Sequence, residues 1–182
     1  EKKIVGGKNG YGAKLTNIFS TYFEIETVDH IRKKKFTQIF RNNMKIKEKP
    51  IIKNSSSKPY TKVTWITDFE RFGIVNYSDY MINLTIRRVY DIAGITDKKI
   101  SVYLNDNKIK IDDFSDYSKM YLEKDEKFVY EKINDRWSIG ISLSKNDKFE
   151  QISFVNGIST PKGGKHVDYV CKLLLSGLKK MI

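Results

Sequence analysis

Apolar and polar positions alternate along three segments of the first half of the chain, which predicts three β-strands. Residues 22–29, 33–41 and 60–66 are rich in aromatic and β-branched side chains. On the first segment one face would carry Phe23, Ile25 and Thr27. We expect the three strands to form an antiparallel set. Residues 42–59 are polar and rich in turn formers, so we expect a loop there.

Helical spacing of apolar residues predicts a long helix in the middle of the chain. Ser78 is a suitable cap, the pattern runs to Ala93, and Gly94 is the expected stop. We expect a short helix at residues 114–122 and another from about residue 166.

Short strands are expected between these helices. A hairpin about Asp106-Asn107 and a second about Asn134-Asp135 follow from turn-forming dipeptides. The predicted strands are residues 100–105, 108–111, 127–133, 136–144 and 149–155. The mixture of helices and antiparallel strands predicts an α+β fold.

A glycine-rich segment precedes the first helical pattern, which covers residues 15–20. Four glycines stand within residues 6–12, and Lys8 and Lys14 lie near the two ends of the segment. Such a backbone can approach a ligand closely, and the N-terminus of the following helix favours an anion. The spacing fits neither the Rossmann nor the Walker A pattern. From the residues alone, a phosphate site and a flexible connection that caps a helix both remain open.

Positive charge is in clear excess. The 182 residues contain 34 Lys and Arg against 22 Asp and Glu, a net charge of +12, which would attract nucleic acid or another polyanion. The abundance of Lys, Ile and Asn is also typical of a biased genome composition. The densest run, residues 32–35, favours the solvated end of a β-hairpin over a dedicated DNA contact.

The cysteine, the two histidines and the second glycine-rich loop are the other candidate functional features, and their patterns favour structural roles. Cys171 is the single cysteine and lies on the apolar side of a helical pattern, as a buried thiol would. His166, near Asp168, favours a buried, hydrogen-bonded role over catalysis, and with His30 as the other histidine no zinc spacing exists. The basic loop 160–165 could hold a second phosphate but favours a strand-to-helix turn. No apolar run approaches the roughly 20 residues of a membrane span, so we expect a soluble intracellular protein.

Three motifs occur in series along the chain. The first is Gly7-Lys8-Asn9-Gly10-Tyr11-Gly12-Ala13-Lys14, and the second is Ile86-Arg87-Arg88-Val89-Tyr90-Asp91-Ile92-Ala93-Gly94. The third consists of two strings, Gln151-Ile152-Ser153-Phe154-Val155-Asn156-Gly157-Ile158-Ser159-Thr160 and Lys162-Gly163-Gly164-Lys165-His166-Val167-Asp168-Tyr169-Val170. Together the motifs resemble eukaryotic-type DNA topoisomerase II, a type IIA enzyme with a GHKL ATPase, and the resemblance covers nearly the whole chain. The first motif resembles its ATP lid, the second a late helix of its ATPase domain, and the third its transducer domain.

The resemblance implies the fold and its division. Residues 1–111 would be the C-terminal part of a GHKL (Bergerat) α/β sandwich, and residues 112–182 the N-terminal part of a transducer domain of the ribosomal S5 domain 2 type. The ATP-binding residues would be Gly7, Lys8, Asn9, Gly10, Tyr11, Gly12, Ala13 and Lys14. In the family the water-activating glutamate, the Mg²⁺-binding asparagine and the adenine-reading aspartate precede the lid. We therefore expect an internal fragment without catalytic or metal-binding residues, inactive alone.

The resemblance also implies cofactors and partners for the parent enzyme. These are ATP and Mg²⁺, duplex DNA, and a second subunit in a homodimer, with a nuclear location and no membrane. Two other interpretations remain. Another GHKL protein of the mismatch-repair or chaperone type would share the lid but not the match from Phe149 to Val170, and a basic nucleic-acid-binding module would explain the charge but not the lid.

Overall fold

A computed structural model describes residues 6–145 and 147–181, and it contains both helices and antiparallel sheets, as expected. The chain divides into two compact units. The first comprises Gly7–Ser78, and the second holds the described residues from Asp79 onward, with Gly6. The predicted boundary between ATPase and transducer parts near residue 111 is a different division, which stays a prediction.

The first unit is one short helix followed by a five-stranded antiparallel sheet. Its strand order is β3-β2-β1-β5, with β4 paired to β2 as well. Strands β3 and β4 therefore lie one after the other along the same outer edge. The elements are α1 (Tyr11–Ile18), β1 (Ser20–Asp29), β2 (Lys34–Arg41), β3 (Ile46–Lys47), β4 (Ile51–Asn54) and β5 (Tyr60–Thr67), with a 3₁₀ turn at Glu70–Phe72.

Part of the core of this unit lies on the face of the central strand β1 that carries Phe23. Phe23 is paired with Phe40 on β2 and with Trp65 on β5. The rings of Phe23 and Phe40 meet edge to face, with centroids 6.1 Å apart, and Phe23 is buried. The three strands predicted from alternation are thus confirmed as an antiparallel set.

Two predictions for this unit are wrong. Residues 42–59 are not a loop throughout, because β3 and β4 lie within them. These strands are two and four residues long, and every residue in them is exposed, so no buried face marks them in the sequence. The helix predicted over residues 15–20 instead spans Tyr11–Ile18, and Ser20 already begins β1.

In its described residues, the second unit combines three helices with three two-stranded hairpins. The longest helix, α2, packs on α3 and against β6. The elements are α2 (Asp79–Ile95), β6 (Tyr103–Leu104), β7 (Asn107–Lys108), α3 (Phe114–Lys119), β8 (Phe128–Asn134), β9 (Trp137–Ser142), β10 (Phe154–Val155), β11 (Ile158–Ser159) and α4 (Lys165–Leu178).

The expected helices are confirmed in this unit, but Gly94 is not a helix stop. It lies inside α2 and is buried. A β-carbon built on Gly94 would come within 2.5 Å of Cβ and Cγ of Tyr117 on α3. Glycine is present because two helices approach closely here. In the sequence, a glycine with this role looks the same as a glycine that ends a helix.

Turn positions in the hairpins differ from those predicted. The predicted strand over residues 149–155 is reduced to β10, which turns back at Asn156-Gly157 into β11. Both turn residues have positive φ, 50° and 80°, as a tight hairpin requires. The other two turns lie one residue away from their predicted places, at Asn105-Asp106 in the first case and at Asp135-Arg136 in the second.

Candidate nucleotide-binding site

The predicted lid residues lie at the start of α1. Gly7 to Gly10 precede the helix, and Tyr11 to Lys14 form its first turn. All eight are exposed to solvent, and the side chain of Tyr11 is 61% exposed. The structure therefore brings the whole predicted set together on one short, accessible segment.

The start of α1 has the electrostatic character of an anion site. Its cap residue, Gly10, offers no side-chain hydrogen bond, and the first turn holds no acidic residue. In an α-helix the N–H groups of the cap and the first three residues lack an intrahelical partner. Here these are the amides of Gly10, Tyr11, Gly12 and Ala13, and the positive end of the helix dipole adds to them.

Packing does not require the three glycines of the lid string, Gly7, Gly10 and Gly12. A β-carbon built on Gly7, Gly10 or Gly12 would meet no atom within 4 Å. Gly10 has a backbone reason for its identity, because its φ of +66° is in the left-handed region. Gly7 and Gly12 have no such reason. The open space beside their backbone fits a phosphate group that approaches the amides directly.

The other end of α1 is fixed firmly to the unit. The hydroxyl of Ser20 donates to the carbonyl oxygen of Thr16 at 2.5 Å, and Nδ2 of Asn43 donates to the carbonyl oxygen of Ile18 at 3.0 Å. Asn43 also donates to Oδ2 of Asp68 at 2.8 Å. The helix is thus anchored at its C-terminus, while its N-terminus projects into solvent.

A buried polar network in the second unit was not foreseen from the sequence. The hydroxyl of Tyr117 donates to Oδ1 of Asp91 at 2.6 Å and lies 2.9 Å from the hydroxyl of Tyr121. Asp91 and Tyr117 are 5% and 1% exposed. Burial and these hydrogen bonds raise the pKa of Tyr117 far above its ordinary value, so the phenol keeps its proton.

Arg88 extends this network from α2 to the β10–β11 turn. Its Nη2 donates to the carbonyl oxygen of Gly157 at 2.6 Å, and its Nη1 lies 3.9 Å from Oδ2 of Asp91. The signal available in the sequence was Arg88 and Asp91 one helical turn apart in an apolar pattern. Spacing alone could not reveal Tyr117 or Gly157 as partners.

The loop 160–165 forms the strand-to-helix turn that the sequence favoured. Gly163 and Gly164 have positive φ, at 71° and 145°, and α4 begins at Lys165. Nε2 of His166 lies 3.1 Å from the hydroxyl oxygens of both Thr160 and Ser153. The hydrogen-bonded role of His166 is confirmed with these partners, in place of the expected Asp168, but the residue is half-buried and not buried as expected.

Other predicted features of the chain have the following positions. The run Arg32–Lys35 lies at the β1–β2 hairpin end, as expected, where Arg32 pairs with Asp29 at 2.6 Å. Cys171 is a free thiol of intermediate exposure and not a buried one, because α4 presents no buried residue.

Within residues 6–145 and 147–181, no group of three or more metal-ligand side chains is found. In the same residues no helix has the length and apolar character needed to cross a bilayer.

Comparisons with known proteins agree with one family. Residues 95–182 match the family model of DNA gyrase B. DNA topoisomerase 2 of Arabidopsis thaliana is 48% identical over 178 residues, which cover 93% of this chain and 12% of that protein. Human DNA topoisomerase 2-alpha is 41% identical over 189 residues, covering the whole chain and 12% of that protein.

Solved structures give the same result for the fold. The ATPase region of Saccharomyces cerevisiae topoisomerase II matches with a TM-score of 0.90 and 43% identity, covering the whole chain and 48% of that structure. The ATPase and transducer domains of the Balamuthia mandrillaris enzyme match with a TM-score of 0.89 and 40% identity, covering 97% of this chain and 46% of that structure.

The fold and the sequence place this chain in the class of type II topoisomerase ATPase regions. It belongs to the DNA topoisomerase II family. The findings support this interpretation over a mismatch-repair or chaperone ATPase and over a basic nucleic-acid-binding module. The chain spans about an eighth of the length of the curated relatives that it matches.

Proposed function

We propose that this chain is part of the ATPase region of a DNA topoisomerase II. The parent enzyme binds and hydrolyses ATP, taken up as its Mg²⁺ complex, to drive one DNA duplex through a transient double-strand break in another. The observation that carries the proposal is the uncapped helix start at Gly10, next to glycines with open space beside them, in a chain of this family.

The lid residues divide the work of holding the triphosphate. The amides of Gly10 to Ala13 donate to phosphate oxygens, and the small residues at these positions let the phosphates come close. Because α1 begins at Tyr11, the amide of Lys14 is engaged within the helix, and Lys14 contributes through its ammonium group. Lys8 and Asn9 lie before the cap, where their side chains reach the same phosphates.

Nucleotide state then controls the enzyme through this segment. Closure of the lid over ATP excludes water and favours association of two subunits into a homodimer. The part from about residue 112 serves as the transducer that carries the change towards the DNA gate. The free energy comes from differential contacts of ATP and ADP with the two conformations, since a ligand shifts an equilibrium only by its difference in affinity. The enzyme acts in the nucleus, where its DNA substrate lies.

The test uses full-length enzyme and two glycine-to-valine variants. Gly12→Val places a β-branched side chain where the phosphate approaches, so we expect loss of ATP hydrolysis and of ATP-dependent relaxation of supercoiled plasmid. Gly177→Val is the matched control, because Gly177 also lies in a helix and a β-carbon there meets nothing within 4 Å. The control should keep both activities.

Two results would count against the proposal. If wild-type enzyme relaxes plasmid equally with and without ATP, the assigned reaction is wrong. If Gly12→Val keeps normal turnover while a crystal structure with a nonhydrolysable ATP analogue shows the phosphates away from the amides of Gly10 to Ala13, the enzyme uses a different phosphate site.

A further inference from the structure

Six exposed lysines line one edge of the sheet in the first unit. They lie on strands β3 and β4, on the loops beside these strands, in the turn before β2, and at the start of β2, which β3 and β4 border. We call this row the lysine edge: Lys33, Lys34, Lys45, Lys47, Lys49 and Lys53.

The excess positive charge of the chain is concentrated around this edge. Residues 30–62 contain eleven Lys and Arg and a single acidic residue, Glu48. The net charge of this 33-residue stretch is therefore close to that of the whole chain, which is +12. A field of one sign over so short a stretch attracts a polyanion from a distance.

Ion pairs neutralise other basic residues of this region. Arg41 pairs with Glu48, Arg32 with Asp29, and Lys35 with Glu26. The acidic groups are thus committed to residues outside the lysine edge. Of the six lysines, Lys34 donates to a neutral acceptor, Oδ1 of Asn54, at 2.6 Å, which orders the side chain but leaves its charge in place.

The row has the length to follow a nucleic acid backbone. Lys53 on β4 lies beside Lys35, and Lys47 on β3 lies beside Phe40. These positions are five residues apart along β2, about 17 Å at the rise of a β-strand. Phosphates of one DNA strand repeat about every 3.4 Å along the duplex, so the edge can meet several phosphates at once.

We propose that the lysine edge binds the phosphate backbone of duplex DNA without reading its sequence, an inference that rests on the proposed function. Lysines act as point charges on phosphates and carry no base information by such contacts. The apolar side chains that β3 and β4 contribute are isoleucines, Ile46, Ile51 and Ile52. A single strand would favour aromatic stacking platforms on the surface, so the edge fits a duplex.

Lysines on a sheet edge also have a purely structural explanation. Charged side chains on short edge strands prevent another chain from pairing with the exposed backbone. That role requires only positive charge at the edge. It predicts no protection of these lysines by DNA, and it predicts that removing the charge causes self-association.

The first experiment maps lysine reactivity in the full-length enzyme. An amine-reactive acetylating reagent is applied with and without a linear DNA duplex, and each lysine is quantified by mass spectrometry. We expect at least a threefold loss of labelling at Lys45, Lys47, Lys49 and Lys53 with DNA, reversed by high salt. Lys124 and Lys127, which are exposed in the turn before β8, should not change.

A charge-reversal pair then tests the contribution to binding. The double variant Lys47→Glu/Lys53→Glu should reduce the magnitude of the negative slope of log affinity against log salt concentration by about two, since each lost phosphate contact removes about 0.9. Lys124→Glu with Lys127→Glu changes the net charge equally and should leave the slope nearly unchanged. If both pairs weaken binding equally, only the overall charge matters and the proposed surface is wrong.

The outcomes separate this proposal from the proposed function. Lysines that are unreactive without DNA, or equally reactive with it, would overturn the surface even if ATP-driven relaxation is normal. Self-association of the Lys47→Glu/Lys53→Glu variant with an unchanged salt slope would establish edge protection instead. Wild-type enzyme that lacks ATP-dependent relaxation would overturn the proposed function, whatever the lysines show.

Discussion

The two units of this chain use the same residue type for opposite reasons. In the first, Gly7 and Gly12 lie in open space, where a side chain would touch nothing. In the second, Gly94 is buried, and a β-carbon there would collide with Tyr117. Glycine in the lid leaves room for a ligand, whereas glycine in α2 allows two helices to pack. A glycine-rich motif is thus informative about function only when the fold does not need the glycine.

The polar groups of the two units differ in the same way. The amides at the start of α1 lie in solvent without a side-chain cap, whereas the buried carboxylate of Asp91 is held by Tyr117. Unsatisfied groups in water cost little, but the same groups inside a protein cost several times more. Substitutions in the lid should therefore alter ligand binding, and substitutions around Asp91 should alter stability.

The largest expected effect is on stability, from the substitution Gly94→Val. Gly94→Ala adds a helix-favouring residue but forces a β-carbon to within 2.5 Å of Tyr117, so we expect a net loss of about 1–3 kcal/mol, and more for Gly94→Val. Denaturant unfolding of the chain measures it. Gly177→Ala, in open space on α4, should be neutral or slightly stabilising. Equal stability of the two alanine variants would mean that α2 and α3 do not pack closely.

The corresponding effect in the lid is on nucleotide affinity. In the full-length enzyme, Lys14→Ala should weaken ATP binding by about 1.5–3 kcal/mol, the value of a hydrogen bond to a charged group, with little change in melting temperature. Isothermal titration with a nonhydrolysable analogue measures it. Lys162→Ala is the control from the other glycine-rich basic loop. If that variant loses affinity as much, loop 160–165 is a second phosphate site and not simply a turn.

A smaller loss is expected when the Asp91 network loses one hydroxyl. Tyr117→Phe keeps the ring packing but removes the donor 2.6 Å from Oδ1 of Asp91, and we expect a loss of about 1–2 kcal/mol in unfolding free energy. Tyr121→Phe, whose ring is 46% exposed, should cost less. The idea fails if Tyr117→Phe is as stable as the wild type and Tyr121→Phe is not.

The smallest expected effect is a pH dependence in the first unit. Hydrogen bonds from Lys35 and Tyr60 lower the pKa of Glu26 below its ordinary value. A carboxyl group whose pKa is lower in the folded protein than in the unfolded chain stabilises the fold at pH values above its ordinary pKa. This contribution to stability is lost as the pH falls through the folded-state pKa. The free energy of unfolding, measured as the pH is lowered, should lack this contribution in Glu26→Gln. The control variant Glu70→Gln should retain it. Because Glu26 is near the surface, salt should reduce the effect.

Strong local patterns in the sequence were enough to predict much of this fold. Alternation predicted β1, β2 and β5, and apolar spacing predicted α2 and α4, because each of these elements is long enough to repeat its period. The exposed strands β3 and β4 lack a buried face, and β10 and β11 are only two residues long, too short to repeat a period.

The candidate site was predicted only as a segment. The eight residues of the lid motif stand next to one another in the sequence, so reading the chain was sufficient to find them. The partnership of Asp91 with Tyr117 joins residues 26 positions apart, and that of Arg88 with Gly157 joins residues 69 apart. Such contacts depend on the packing of helices and turns, which no local pattern records.

The exposed segment before α1 also contains a site of chemical degradation. Asn9 is directly followed by Gly10 in an exposed loop. An asparagine before glycine is prone to deamidation, because the glycine amide nitrogen can attack the side-chain carbonyl without steric hindrance, releasing ammonia through a succinimide. Asn156 also precedes a glycine, but its side-chain oxygen accepts a hydrogen bond from Arg136 at 3.1 Å. Water then hydrolyses the succinimide to aspartate or isoaspartate. Either product places a negative charge beside the proposed phosphate site, so stored enzyme should lose nucleotide affinity before it loses its fold.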